Sequence, residues 1–348
     1  MTSIQAYAAA TAKEPLKPFQ IQRREPGPAD VVIDIQYCGI CHSDIHQVRD
    51  EWGNSIFPMV PGHEITGLVS AIGSAVKRFK PGARVGVGCF TDSCRECQSC
   101  KQGNEQYCEK GMTVTYNGLE KDGKTPTYGG YSKQIVVDEN YVLKIPESIS
   151  LDKAAPLLCA GITTYSPLHN WKITAGSKVG VMGLGGLGHM AVKLAAAMGA
   201  EVTVLSHSER KKEDALKMGA KNFVNTTEKG ALDKYANYFD LIINTVSANL
   251  DLNTYFLLLK RDATLVEVGV PEQPASINFF PLIFRRRSLA GSLIGGIQET
   301  QEMLDFCGKH GLSPDIEIIS IEQVNEAYER MIKGEVRYRF VIDLSTLK

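Results

Sequence analysis

A glycine-rich turn placed directly after an apolar strand is the strongest constraint on how this chain can fold. The strand is predicted over Val179–Met182, and a helical stretch, His189–Met198, follows the turn. Between them, the pattern Gly-x-Gly-x-x-Gly is matched by Gly183, Leu184, Gly185, Gly186, Leu187 and Gly188. In this setting the glycines permit a tight turn, close approach of the backbone to a pyrophosphate, and close packing of helix on strand. The phosphates then lie at the helix N-terminus, where free N–H groups point at them. The pattern predicts a dinucleotide-binding loop; a purely structural glycine turn is the alternative.

The same part of the chain alternates between predicted strands and helices. Further strands are predicted over Glu201–Leu205, Asp240–Val246 and Ala263–Val270, and a further helix over Glu209–Met218. Such alternation is typical of a parallel sheet with helices on both faces. We therefore predict the α/β fold class, with a doubly wound parallel-sheet domain over residues 151–290.

The residues on either side of this domain have a different character. Residues 1–150 contain short predicted strands between Pro and Gly turns, for example Val31–Gln36, Ile65–Ile72 and Arg84–Val87. This pattern predicts a β-rich, barrel-like domain. After residue 290 the sequence predicts two amphipathic helices, Gln298–His310 and Glu322–Lys333, and a closing strand, Tyr338–Asp343. We expect this tail, residues 291–348, to return to the first domain.

Charge and cysteine usage exclude several classes of protein. The chain has 348 residues and a formal net charge of −1, so nucleic acid and acidic membranes are not expected partners. No apolar stretch approaches the roughly 20 residues that a transmembrane helix needs. Met1–Lys17 lacks the apolar core of a signal peptide. The nine cysteines are odd in number and clustered, which favours metal ligation in a reducing compartment over disulfides. We expect a cytoplasmic protein.

Four of the cysteines lie in one short segment. Cys94, Cys97, Cys100 and Cys108 have the spacing Cys-x2-Cys-x2-Cys-x7-Cys. Four thiolates can close a tetrahedron around Zn²⁺, with Zn–S bonds of roughly 2.3 Å and no open position. The spacing predicts a structural zinc site, and it makes a second, incomplete ligand set worth seeking.

Three further residues supply such a set. Cys41 lies in the segment Cys38–His46, His63 stands between Gly62 and Glu64, and Cys159 lies in the segment Pro156–Gly161. Two cysteines and one histidine leave a fourth position on zinc for water or substrate. This ligand set is one already known from alcohol dehydrogenase.

The end of the second predicted strand indicates which dinucleotide is bound. NAD-binding proteins usually place Asp or Glu there to bind the ribose hydroxyls. Here Glu201 opens the strand, and the strand tip carries hydroxyls and cations instead, namely Ser206, His207, Ser208, Arg210 and Lys211. These groups suit a 2′-phosphate, so we predict NADP(H). The alternative is that the cations form a solvated helix face.

Together these motifs resemble the zinc-dependent medium-chain dehydrogenase/reductase superfamily and, within it, the cinnamyl alcohol dehydrogenase family. The resemblance is carried by residues 41–44, 62–64, 94–108, 159–165, 183–188, 291–296 and 338–341. It implies a GroES-like catalytic domain, residues 1–150 and 291–348, and a Rossmann NADP-binding domain, residues 151–290. It also implies an active site in the cleft between them and a homodimer built through the Rossmann domains.

The resemblance also implies roles for individual residues. Cys41, His63 and Cys159 would bind the catalytic zinc. Glu64 would be either an alternate ligand or a nearby carboxylate that neutralises charge; both readings stay open. Ser43 would contact the cofactor and pass the proton of the substrate oxygen through the cofactor ribose towards His46. The alternatives are a helix N-cap for Ser43 and a surface histidine for His46. Contacts near the nicotinamide are implied for Thr163, Thr245, Gly269, Ser292, Leu293 and Ile294.

The function expected from this resemblance is reduction of aldehydes to alcohols by zinc and NADP(H), with two zinc ions per chain. Trp52 and Phe57 follow the first ligand and either line an apolar substrate pocket or pack in the core. The segment Gly111–Thr115 lacks the bulky aromatic residue that the plant enzymes carry there, which favours a broad range of aromatic and aliphatic aldehydes. The alternatives are an NAD-linked alcohol or polyol dehydrogenase, and a non-catalytic NADPH-binding module.

Overall fold

The computed structural model describes residues 1–271 and 273–348 and divides the chain into two units. Unit 1 comprises Met1–Ile162 and Gly295–Lys348, and unit 2 comprises Thr163–Ile294. The strands are β1 (Thr2–Ala8), β2 (Lys17–Arg23), β3 (Asp30–Gly39), β4 (Ile65–Ile72), β5 (Arg84–Val87), β6 (Phe90–Asp92), β7 (Thr113–Val114), β8 (Gln134–Asp138), β9 (Leu143–Lys144), β10 (Lys178–Met182), β11 (Glu201–Ser206), β12 (Asn222–Asn225), β13 (Phe239–Asn244), β14 (Leu259–Glu267), β15 (Ser288–Gly291), β16 (Ile316–Ser320) and β17 (Arg339–Asp343). The helices are α1 (His42–Val48), α2 (Gln98–Lys101), α3 (Leu151–Ala154), α4 (Ala160–Asn170), α5 (Gly188–Ala197), α6 (Lys212–Lys217), α7 (Leu252–Phe256), α8 (Phe280–Ile283), α9 (Ile297–His310) and α10 (Val324–Ile332).

The unit boundaries lie slightly later in the chain than the predicted domain boundaries at residues 150 and 290. Residues 151–162 belong to unit 1 because they pack on its strands. Thr66 Oγ1 donates a hydrogen bond to the Leu151 carbonyl at 2.8 Å. A Cβ at Gly86 would lie 2.8 Å from Leu158 Cδ1, so the glycine makes room for that side chain. Residues 291–294 belong to unit 2, since Gly291 pairs with Glu267 in β14.

Unit 1 is built on a seven-stranded sheet in the order β16-β17-β3-β4-β5-β9, with β8 also paired to β3. The pairs are antiparallel except β16 with β17, which is parallel. Strand β3 runs through the middle and ends next to Cys41. Val341 of β17 lies opposite Gly39 of β3. The C-terminal strand is therefore beside the strand that leads into the first candidate ligand.

Unit 2 is built on a six-stranded parallel sheet in the order β12-β11-β10-β13-β14-β15. The chain moves outward from β10 to β12 and then returns to the other side of β10, so the strand order reverses between β10 and β13. This is the order of a doubly wound sheet, and the predicted fold class is confirmed. Leu241, Ile242 and Ile243 of β13 are all fully buried, as expected for a parallel strand covered on both faces.

Within residues 1–271 and 273–348, every helix is too short or too polar to cross a bilayer.

Candidate functional site

The structure brings the scattered candidate ligands of unit 1 together. One donor atom each from Cys41, His63, Glu64 and Cys159 lies within 4.8 Å of the others. The Sγ atoms of Cys41 and Cys159 are 3.9 Å apart. Two thiolates bound to one tetrahedral zinc, with Zn–S bonds of roughly 2.3 Å, are separated by about 3.8 Å. The donor set and its spacing therefore fit zinc.

Local structure explains how these ligands converge. Cys41 is the N-cap of α1, directly after β3. Gly62, just before His63, has φ +103°, and a Cβ there would lie 2.7 Å from Cys38 Sγ. Only glycine fits this crowded left-handed turn. Contact with the Cys159 thiol holds the pKa of Cys41 well below its usual range, which favours the thiolate that a metal needs.

A carboxylate without an assigned role in the sequence analysis, Asp44, lies behind this set. Its side chain is fully buried, and it accepts hydrogen bonds from the N–H groups of Cys41 at 2.8 Å and Gly62 at 3.2 Å. His63 Nδ1 is 3.5 Å from Asp44 Oδ1, so Nε2 is the nitrogen left for a metal. The signal in the sequence was the capping box that Asp44 forms with Cys41 at the start of α1.

Glu64 is held by an arginine from the other end of the chain. Arg339 Nη2 donates to Glu64 Oε1, and both side chains are buried. Burial raises the pKa of Glu64 to about 7, against the opposing charge of Arg339. Among the described residues, Glu64 Oε2 has no hydrogen-bond partner, and a Cβ at Gly39 would lie 1.9 Å from it. The carboxylate thus pairs with a buried cation and also lies within the ligand group, so both roles for Glu64 stay open.

Ser43 and His46 lie on α1, beside the ligand set. Ser43 Oγ is 3.6 Å from Cys41 Sγ. Since Cys41 is the N-cap of α1, the alternative that Ser43 caps this helix does not apply. His46 Nδ1 contacts the carboxylate of Glu51, and its ring stacks on Trp52 with 5.1 Å between centroids. Glu51 had no assigned role in the sequence analysis.

The two aromatic candidates for the substrate pocket differ in exposure. Trp52 is 41% exposed and does not pack in the core, whereas Phe57 is half-buried. The loop that carries both residues is anchored next to Phe57, where the Ile56 N–H donates a hydrogen bond to Asn117 Oδ1 at 2.7 Å. Asn117 Nδ2 in turn donates to Gln47 Oε1 of α1 at 2.6 Å. The loop is therefore anchored to the helix that carries Ser43 and His46.

The four clustered cysteines also converge. The donor atoms of Cys94, Cys97, Cys100 and Cys108 all lie within 4.8 Å of one another. The Sγ atoms of Cys94 and Cys100 are 3.8 Å apart, the spacing expected for two ligands of one zinc. The N–H groups of Cys94 and Cys97 point at ligand sulfurs at 3.4 and 3.3 Å. Ser93 Oγ, 3.1 Å from Cys100 Sγ, adds a hydroxyl. Four sulfurs complete a tetrahedron, so this set fits a structural zinc.

The loop that carries these cysteines packs on the start of α9. Glu105 Oε2 accepts a hydrogen bond from the Ile297 N–H at 3.1 Å. A Cβ at Gly296 would lie 1.8 Å from the Gly103 carbonyl oxygen, so only glycine allows this approach. Because Glu105 lies between Cys100 and Cys108, an ordered cysteine loop holds the point where the chain re-enters unit 1 at Gly295.

The glycine loop of unit 2 has the geometry of a phosphate cradle. Gly183 follows β10 with φ +83°, and its N–H donates to the Leu205 carbonyl at 2.9 Å. A Cβ at Gly188 would lie 2.3 Å from the Gly183 carbonyl oxygen, so the helix packs closely on the strand end. A Cβ at Gly185 would meet no atom within 4 Å, which leaves space in front of α5. These features fit a pyrophosphate at the start of α5.

The strand tip agrees with the predicted choice of dinucleotide. Ser206 is the last residue of β11, and Glu201 is the first, where it accepts a hydrogen bond from the Tyr238 hydroxyl. His207 and Arg210 are exposed, and Ser208 is half-buried. Lys211 Nζ donates to the Leu184 carbonyl at 2.8 Å, which places this ammonium group at the glycine loop.

Three of the other predicted cofactor residues lie at one edge of the sheet. Thr245 follows β13, Gly269 lies beyond the end of β14, and Ser292 follows β15. The carboxyl ends of parallel strands share an edge, where dinucleotides bind in such sheets. Thr245 Oγ1 donates to the Met182 carbonyl at 2.8 Å, at the end of β10. The remaining members are Thr163, buried in α4, Leu293, which is exposed, and Ile294, which is buried.

The cysteine loop leads to a prediction about stability. Cys100→Ser removes a zinc ligand, and structural zinc sites contribute folding free energy directly. We expect the loss of one zinc ion per chain and a fall of several degrees in Tm, with kcat of the surviving folded protein within about twofold of wild type. Cys307→Ser, at a fully buried thiol outside both ligand sets, is the control and should keep its zinc. An unchanged zinc content in Cys100→Ser would contradict the assignment.

Comparison with known proteins places this site in a family. Residues 27–147 match the alcohol dehydrogenase GroES-like domain, and residues 186–309 match the zinc-binding dehydrogenase family. The chain is 60% identical to NADP-dependent alcohol dehydrogenase C 1 of Mycolicibacterium smegmatis, covering 100% of both chains. It is 55% identical to aldehyde reductase YahK of Escherichia coli, over 99% of each. The solved structure of a cinnamyl alcohol dehydrogenase of Sorghum bicolor is 43% identical, covers 100% of this chain and 99% of its own, and superposes with a TM-score of 0.97. The chain belongs to the zinc-dependent medium-chain dehydrogenase/reductase superfamily.

Proposed function

We propose that this protein interconverts aldehydes and primary alcohols by hydride transfer with NADP(H), using zinc. The observation that carries the proposal is the set formed by Cys41, His63 and Cys159. Its thiol spacing of 3.9 Å fits zinc, and three ligands leave a position for substrate. The relatives named NADP-dependent alcohol dehydrogenase and aldehyde reductase support the same reaction.

The strand tip supports NADP(H) over NAD(H). Strand β11 ends at Ser206 and is followed by His207 and Ser208, so none of these three positions carries the carboxylate that binds the ribose hydroxyls. Arg210 is exposed beside them and Lys211 lies at the glycine loop. Both cations favour a 2′-phosphate.

The residues around the candidate metal would each have a distinct task. Zinc held by Cys41, His63 and Cys159 would supply a Lewis acid for the substrate oxygen, and NADP(H) held at the glycine loop would supply or accept the hydride. Asp44 holds the His63 ring in one orientation through Nδ1. Ser43 Oγ, next to Cys41 Sγ, exchanges a proton with the substrate hydroxyl. Glu51 contacts His46 Nδ1, which leaves Nε2 of His46 to exchange protons with its surroundings.

The substrates we propose are aromatic and aliphatic aldehydes over a broad range. Trp52, which is 41% exposed on the anchored loop beside α1, supports recognition of apolar groups. An NAD-linked alcohol or polyol dehydrogenase is disfavoured by the strand tip. A non-catalytic NADPH-binding module is disfavoured by the convergence of the ligand set.

The two thiol-rich ligand sets require reduced cysteines, which supports a reducing compartment such as the cytoplasm.

One experiment tests this proposal directly. Zinc is counted in the purified protein, and oxidation of NADPH and of NADH is followed with a panel of aromatic and aliphatic aldehydes. We expect two zinc ions per chain, aldehyde-dependent oxidation, and a higher kcat/KM with NADPH. One zinc and no oxidation across the panel would favour the binding module, and a higher kcat/KM with NADH would favour the NAD-linked alternative.

A substitution at Ser43 tests the proton path. Ser43→Ala removes the hydroxyl, and loss of a proton-transfer group typically costs about 10²–10⁴-fold in rate. We expect kcat to fall by about this factor with zinc content and NADPH affinity retained. Ser43→Thr keeps a hydroxyl and should preserve most of the turnover. Near-normal kcat in Ser43→Ala would remove Ser43 from the mechanism.

We also propose that the protein is a homodimer formed through unit 2. Strand β15 is at one edge of the parallel sheet, where its free edge can pair with another strand. Close by in sequence is an apolar patch made of the exposed side chains Phe279 (65%), Phe280 (65%), Ile283 (75%) and Phe284 (74%). An exposed patch of this kind is typical of an interface, and a two-fold axis lets one patch cover its own copy.

The dimer is tested by placing a charge in the patch. Phe284→Asp buries an unpaired carboxylate in the proposed interface, which disfavours association. We expect sedimentation to show a monomer at micromolar concentrations where the wild type is a dimer. Leu216→Asp, at a 45% exposed residue of α6 outside the patch, is the matched control and should leave the dimer intact. A dimeric Phe284→Asp would place the interface elsewhere.

A further inference from the structure

We propose that Tyr116 is a positioning residue for His63, holding the imidazole of this candidate zinc ligand through the face of its ring. The inference rests on the proposed function, in which His63 binds the catalytic zinc. Tyr116 follows directly on the segment Gly111–Thr115, which differs from the plant enzymes. The aromatic side chain at this place is buried behind the ligand set.

The ring of Tyr116 lies flat against His63. The two centroids are 5.7 Å apart and the ring planes differ by 7°. Both side chains are buried, Tyr116 at 6% and His63 at 6% exposure. An offset parallel arrangement of this kind is favourable, and it restricts rotation of the imidazole about its χ2 torsion. Within the described residues, Tyr116 is the aromatic ring stacked on His63.

The imidazole that Tyr116 covers is also held at its edge. Asp44 Oδ1 is 3.5 Å from His63 Nδ1, and this acceptor selects the tautomer of His63. The Tyr116 ring contacts the face of the imidazole, so the carboxylate and the phenol ring restrict the same ligand from two directions.

Tyr116 is itself held firmly by its neighbours in sequence. The Thr115 N–H donates to the Cys89 carbonyl at 3.1 Å, and Thr115 Oγ1 donates to the Gly88 carbonyl at 2.5 Å. On the other side, the Gly118 N–H donates to Thr127 Oγ1 at 3.0 Å. A rigid backbone on both sides lets the side chain impose its orientation on His63.

Two other buried phenols serve as a contrast. Tyr131 donates its hydroxyl to Asp44 Oδ2 at 3.3 Å, and the Tyr328 hydroxyl is 3.3 Å from that of Tyr131. Tyr131 therefore stabilises the carboxylate, and Tyr328 supports Tyr131. Tyr116 differs from them because its ring is stacked on the imidazole, so its loss disturbs the ligand itself.

The test separates the ring of Tyr116 from its hydroxyl. Tyr116→Phe removes the hydroxyl and keeps the ring, and Tyr116→Leu removes both. The matched controls are Tyr235→Phe and Tyr235→Leu, since Tyr235 is a buried tyrosine of unit 2 stacked on Phe239 with centroids 5.6 Å apart and planes at 11°. The readouts are the rate at which zinc is lost to a chelator and the visible absorption spectrum of the Co²⁺-substituted protein.

Loss of a residue that orients a metal ligand typically costs about 10–100-fold in metal affinity. We expect Tyr116→Leu to speed the loss of one of the two zinc ions by about this factor and to shift the Co²⁺ bands, with a smaller increase for Tyr116→Phe. The Tyr235 variants should release zinc at the wild-type rate. Wild-type release rates and spectra in both Tyr116 variants would overturn the inference alone. A wild-type protein that holds only the four-cysteine zinc would instead overturn the proposed function.

Discussion

The candidate site depends on the hydrogen bonds that the buried carboxylate of Asp44 accepts. A carboxylate that is fully buried is costly unless donors surround it. Its donors are the Cys41 N–H at the start of α1, the Gly62 N–H before His63, and the hydroxyl of Tyr131. The bonds that satisfy the carboxylate therefore bring two candidate ligands to the same place. The site is organised by the need to solvate one charge inside the protein.

A second buried charge ties the site to the C-terminal strand. Arg339 opens β17 and donates to Glu64, while β17 pairs with β3, whose end leads to Cys41. Removing one partner of a buried ion pair costs about 3–5 kcal/mol, because the other charge is left uncompensated. Gly39 has no side chain to occupy the space that Glu64 needs. Residues from both ends of the chain thus stabilise one cluster, which explains why the tail after unit 2 returns to unit 1.

Sequence reasoning reaches furthest where the parts of a feature are close together in the chain. A few consecutive residues are enough to identify the glycine loop, the strand before it and the hydroxyls at the tip of β11. The predicted doubly wound sheet was confirmed. The same reasoning left Ser43 with a helix-cap alternative, which the structure removes because Cys41 occupies the N-cap. It put the domain boundaries at residues 150 and 290, whereas the contacts divide the chain after Ile162 and Ile294, since a change of sequence pattern does not show on which unit a turn of helix packs.

The sequence by itself determined the residue types: two sets of candidate zinc ligands, a glycine turn suited to phosphate, and a strand tip without a carboxylate. Only the tertiary structure decided how these groups are supported. It set Asp44 beside His63, Arg339 on Glu64, and the ring of Tyr116 flat against the imidazole. These contacts join side chains that are distant in the chain, so they exist only once strands β3 and β17 and the turn at Gly62 have packed. Spacing along a sequence identifies donor atoms, whereas their direction depends on packing.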